Sequence, residues 1–70
     1  MRKEEFDPIA RQRPFQPFEV RLVDGRKFRF RSPEQFIVSR SAIHTLDGQG
    51  NGLLINLALI STVRVLDSKS

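Results

Sequence analysis

The chain contains no cysteine, a single histidine and no uninterrupted apolar run longer than four residues. Without cysteine there is neither a disulfide framework nor a cysteine zinc site, and His44 alone makes no recognisable metal pattern, so no metal or other cofactor is expected. The longest apolar stretch, residues 53–60, is interrupted by Asn56 and falls well short of the roughly 20 residues of a membrane-spanning helix; it reads as core. Met1-Arg2-Lys3-Glu4-Glu5 carries acidic residues and leads into no apolar segment, so a secretory signal is not expected and a cytoplasmic location, away from membranes, is. There is no internal repeat. The Gly-rich tract Asp47-Gly48-Gln49-Gly50-Asn51-Gly52 lacks the Lys-Ser/Thr of a phosphate-binding loop and reads as a mobile loop tip. His44 has Ser39, Ser41 and Asp47 nearby in the chain but no nucleophile elbow and no second base, so an enzyme is not expected.

What is present is a globular composition: 70 residues, 39% apolar and 29% charged, enough for one domain. A core of this size without disulfides is marginal, and a homo-oligomer is therefore expected. The net charge is +4, and its placement is uneven. Residues 1–31 hold 9 basic and 5 acidic side chains, while residues 32–70 hold three of each. Nine of the 12 basic residues are Arg, and all six Phe lie at or before position 36.

Asp7-Pro8 predicts a helix start, with Asp7 as cap and residues 9–13 supplying one or two turns before Pro14 stops it. Pro14 and Pro17 then hold the chain extended. Phe18-Glu19-Val20-Arg21-Leu22 and Lys27-Phe28-Arg29-Phe30-Arg31 alternate with period 2, the pattern of half-buried strands. A two-residue Asp24-Gly25 loop would set apolar rows against charged ones. A three-residue loop, Val23-Asp24-Gly25, with Gly25 left-handed, instead pairs Val20 with Phe28 and Phe18 with Phe30. It also sets Glu19 opposite Arg29 and Arg21 opposite Lys27, giving a net basic outer face. Further strands are expected over residues 35–40, continued or bent through 41–45, then over 53–57 and 61–66, with a short turn at 58–60. The expectation is a mainly β domain: a short N-terminal helix, then a five-stranded, strongly bent antiparallel sheet or small barrel rather than a sandwich. Residues 1–17 form the helix and lead-in, 18–66 the sheet and 67–70 a tail.

The spacing of Arg13-Pro14-Phe15-Gln16-Pro17-Phe18, Leu22-Val23-Asp24-Gly25-Arg26 and Ser32-Pro33-Glu34 resembles that of a family of short uncharacterised bacterial proteins common in planctomycete-like genomes, a resemblance that implies no activity. The order of elements is similar to that of Sm-like proteins of the Hfq type, through Val20-Arg21-Leu22-Val23-Asp24-Gly25, Glu34-Gln35-Phe36-Ile37-Val38 and Ala58-Leu59-Ile60-Ser61-Thr62-Val63. That resemblance implies a barrel assembling as a ring by strand pairing, with Gln35 and Phe36 at the positions where a Gln-Phe pair stacks on a base. Asn56-Leu57 stands where that family carries Lys-His, a departure at its uridine pocket.

Two functions are consistent with this sequence. One is a small β module for protein interaction or self-assembly. The alternative is an RNA- or DNA-binding protein whose basic hairpin face, Arg21, Lys27, Arg29 and Arg31, tracks phosphates, with Gln35 and Phe36 as base contacts by resemblance. The ordinary reading of the same basic face is a solvated surface, and of Phe36 a core residue.

Overall fold

The computed structural model describes residues 1–66; the expected tail, 67–70, lies outside the described residues. The chain is mainly β, with one short helix, α1 (Lys3–Ala10), and six strands: β1 (Phe18–Leu22), β2 (Lys27–Phe30), β3 (Phe36–Val38), β4 (Ala42–Leu46), β5 (Gly52–Asn56) and β6 (Ile60–Val65). These form two three-stranded antiparallel sheets, ordered β2-β1-β6 and β3-β4-β5. The structure thus departs from a single five-stranded sheet. Residues 35–45 are not one bent strand but a hairpin, because Ser39 N–H and Oγ–H both donate to the Ala42 carbonyl, at 2.8 and 3.2 Å, and fold β4 back on β3.

The helix begins five residues before the expected site, with Arg2 rather than Asp7 at the cap. Glu5 reaches back to accept the Arg2 backbone N–H at 3.0 Å, so the start is capped there. Asp7 caps nothing; its carboxylate pairs along the helix with Lys3 at 2.6 Å, and Pro8 lies inside the last turns. Burial of Phe6 and Ala10, one turn apart on the same side, holds this segment helical against its local signal.

The β1–β2 hairpin has the expected register, Phe18 opposite Phe30, Glu19 opposite Arg29, Val20 opposite Phe28 and Arg21 opposite Lys27. Leu22 N–H donates to the Arg26 carbonyl and Gly25 N–H to the Leu22 carbonyl, closing a loop in which Gly25 has φ +96°. Strand β6 adds to the other side of β1, with a bulge where the pairing passes from Arg21 to Leu22.

The inward residues of both sheets share one core. Phe18 and Val20 come from β1, Phe30 from β2, Phe36 from β3, Ile43 from β4 and Ile55 from β5, with Phe6, Leu57 and Ile60 filling the ends. Phe18 is its hub: the rings of Phe6, Phe15, Phe30 and Phe36 lie 5.4–5.8 Å from it, in tilted and edge-on arrangements favoured by aromatic quadrupoles. No helix among the described residues is long and apolar enough to cross a membrane.

Candidate interaction surfaces

Each sheet turns one face to the core and one to solvent, and the two outer faces have opposite character. On β2-β1-β6, alternation points Lys27 and Arg29, Glu19 and Arg21, and Thr62 and Arg64 outward. One cross-strand row is Arg29, Glu19, Arg64. Glu19 is only 6% exposed, and it accepts Arg29 Nε at 2.9 Å and Arg64 Nη2 at 3.2 Å on its two oxygens. The hydrogen bond from Arg29 is the main reason its carboxyl titrates below the ordinary range, with the nearby positive charges of Arg64 and Lys27 adding to it against the cost of burial. The neighbouring row is Lys27, Arg21, Thr62. Among the described residues neither Lys27 nor Arg21 makes an ion pair.

Arg21, Lys27 and Arg29 are therefore brought together, as expected, and Arg64 joins them. Arg64 was not among the expected residues. Its signal in the sequence is its place between Val63 and Val65 in an alternating strand, but only the pairing of β6 with β1 sets it beside Glu19. Arg31 stands apart, past the end of β2, with its backbone N–H donating to Gln35 Oε1. Gln35 also accepts Ser32 N–H on Oε1 at 3.0 Å and closes the single turn 33–35. Its side-chain oxygen is thus a cap. Phe36 is 9% exposed and packs against Phe30 at 5.0 Å and Phe18 at 5.5 Å, because the alternation of β3 turns it inward and Ile37 outward.

On β3-β4-β5 the outer face is apolar. Ile37, His44 and Leu54 form one cross-strand row, and Leu46 lies beyond it opposite Gly52. Ile37, Leu46 and Leu54 are 72, 65 and 63% exposed. An open groove of about 510 Å³ runs past Ile37, His44 and Leu46, with Glu34 and Asp47 also lining it. His44 Nε2 lies 3.1 Å from Ser39 Oγ. The same hydroxyl lies 3.2 Å from the Ala42 carbonyl, and which of Nε2 and Oγ donates to the other follows the imidazole tautomer.

The Gly-rich loop is organised by its own first residue. Asp47 Oδ1 accepts the N–H groups of Gln49 at 2.8 Å and Asn51 at 2.9 Å, and Gly50 adopts φ +87°. These bonds, that from Asn51 N–H foremost, hold the Asp47 carboxyl below its usual range. A composition that predicts mobility is here a built turn, and two of its N–H groups are already spent on Asp47. Among the described residues no three His, Cys, Asp or Glu side chains cluster in a way that would hold a metal. Comparisons of the chain with protein-family models, with curated proteins and with solved structures find no match in any of the three.

Proposed function

We propose that this domain is a non-catalytic interaction module that assembles with itself or with protein partners through the β3-β4-β5 sheet. The observation that carries this reading is the exposure of Ile37, Leu54 and Leu46 on one outer sheet face, flanking His44. Contiguous apolar surface of this kind on a small soluble domain marks a contact site. The same sheet ends in an open edge, since among the described residues β5 pairs only with β4, and open edges are templates for another chain. In this reading the two sheets are the halves of a small Sm-like or SH3-like barrel, and the protein works in the cytoplasm as a homo-oligomer. The test is sedimentation of the purified protein from low to high micromolar concentration. A mass above that of one chain is expected; a monodisperse, folded monomer throughout overturns self-assembly.

The second reading, binding of RNA or DNA, is favoured by the Arg29, Glu19, Arg64 row, in which one buried carboxylate orients two guanidinium groups on a face that also carries Arg21 and Lys27. Oriented guanidinium groups suit phosphate. With Phe36 in the core, such binding rests on backbone contacts and carries little sequence preference.

A further inference from the structure

The four strand edges left open among the described residues are not equivalent. Strand β2 carries Lys27 and Arg29, β6 carries Arg64, and β3 is three residues long. Charge and shortness are the devices by which edges are kept from pairing. Strand β5, Gly52-Leu53-Leu54-Ile55-Asn56, has five residues with no charge and no proline.

Its backbone groups are also placed for a partner. The β4–β5 ladder is bracketed by Leu57 N–H donating to the Ser41 carbonyl and Asp47 N–H donating to the Asn51 carbonyl, both at 2.8 Å. In the register that sets Ile43 opposite Ile55 and Thr45 opposite Leu53, antiparallel alternation turns the polar groups of the odd-numbered β5 residues toward β4. Those of Gly52, Leu54 and Asn56 therefore point away from the sheet. They are spaced symmetrically about Leu54.

Resting on the self-assembly reading above, we propose that β5 pairs antiparallel with β5 of a second copy about a two-fold axis at Leu54. In this arrangement Leu54 faces Leu54 of the second copy, exchanging both hydrogen bonds, and Gly52 faces Asn56, whose N–H is open to the partner while its carbonyl caps the turn 57–59. Centring on Leu53 or Ile55 would make that residue a non-hydrogen-bonded pair and leave two hydrogen-bonded pairs within the strand instead of three, and centring on Gly52 or Asn56 would pair fewer residues still. The two Leu54 side chains, exposed in one copy, cover each other on the outer face. The half-buried Leu53 gains Ile55 of the second copy on the inner face. The excess cations lie on the other sheet, so the two charged faces do not meet at the seam.

Because the chain has no cysteine, Leu54→Cys tests the axis without background. Facing residues in a hydrogen-bonded pair are about 5.5 Å apart at Cα, within disulfide reach. Mild oxidation should convert most of the Leu54→Cys protein to a disulfide dimer, while Leu46→Cys, similarly exposed but off the axis, should stay largely uncrosslinked. Leu54→Lys should give a folded monomer that retains the wild-type circular dichroism and whose melting temperature, unlike that of the wild type, does not depend on concentration. Equal crosslinking of both cysteine variants, as random collision would produce, overturns the two-fold seam. An oligomer larger than two copies with no crosslink at Leu54 overturns it as well and leaves self-assembly standing. A wild-type monomer at every concentration overturns both.

Discussion

Glu19 and Arg29 face each other across β1 and β2 with Nε 2.9 Å from Oε2, and the carboxylate is buried beneath the pair while the guanidinium remains exposed. Arg64 approaches the other oxygen from β6, so one side chain ties all three strands of its sheet across their outer face. A charge removed from water in this way depends on its partners, and its removal is felt more than its presence.

The pH dependence follows with a definite sign. The Glu19 carboxyl is held below its ordinary value of 4.5 in the folded protein, first by the Arg29 hydrogen bond, so the unfolded chain binds the proton more readily. The resulting stabilisation is complete above about pH 5.5 and fades as pH falls through 4.5 and then through the lowered folded value. Asp24 and Asp47 are also held low, but they titrate alike in wild type and Glu19→Gln. The difference in urea midpoint between the two proteins should be constant near neutrality and shrink toward zero in acid. A difference that grows on acidification contradicts the arrangement.

Gly25 and Gly48 provide a matched pair. Neither has an atom within 4 Å of where a Cβ would sit, but Gly25 has φ +96° and Gly48 has no such constraint. Gly25→Ala should destabilise by about 1 kcal/mol, the cost of left-handed backbone for a residue with a Cβ. Gly48→Ala should be neutral or slightly stabilising, because it restricts only the unfolded chain. Denaturant unfolding of the two variants distinguishes them, and equal effects would refute the left-handed conformation of Gly25.

Phe36 and Ile37 are adjacent in the chain and opposite in fate. Phe36→Ala opens a cavity among Phe15, Phe18 and Phe30 and should cost about 3–5 kcal/mol, a large share of the ~0.05–0.15 kcal/mol per residue that small domains possess. Ile37→Ala removes an exposed side chain and should change monomer stability by no more than about 0.5 kcal/mol. Calorimetry of both variants checks the assignment of inward and outward faces on β3.

These contrasts also show what was legible in the residues alone. The hairpin was readable because only one loop length keeps Val20 and Phe28 on the same face, and Gly25 permits that loop. The β3–β4 hairpin was not readable, since Ser39-Arg40-Ser41 has no Gly, Pro, Asn or Asp, and its fold-back rests on two bonds to the Ala42 carbonyl. Asp7-Pro8 is a genuine local start signal, yet the burial of Phe6 and Ala10 overrides it. The basic face was legible by alternation on β1 and β2. Its fourth member, Arg64, was not, because adjacency between strands 45 residues apart is a property of sheet order and not of periodicity.

The nucleic-acid reading makes the last prediction, and the structure changes which residues test it. Arg29 and Arg64 are bound to Glu19, so replacing either leaves that carboxylate short of a partner and confounds binding with stability. Arg21 and Lys27 make no ion pair among the described residues and face each other as like charges. Their joint replacement by Ser should therefore leave stability unchanged or slightly raised. If Arg21, Lys27, Arg29 and Arg64 each meet a phosphate on duplex DNA, the slope of log affinity against log salt is near −0.9 per contact, a loss of roughly two orders of magnitude between 50 and 200 mM salt. Arg21→Ser with Lys27→Ser should lower that slope by about two, uniformly across sequences. The measurement is titration of labelled single-stranded RNA and duplex DNA at low salt. Absence of binding below about 100 μM, the usual range of non-specific contacts, would make the basic face a solubility feature and leave the apolar sheet as the surface through which the domain acts.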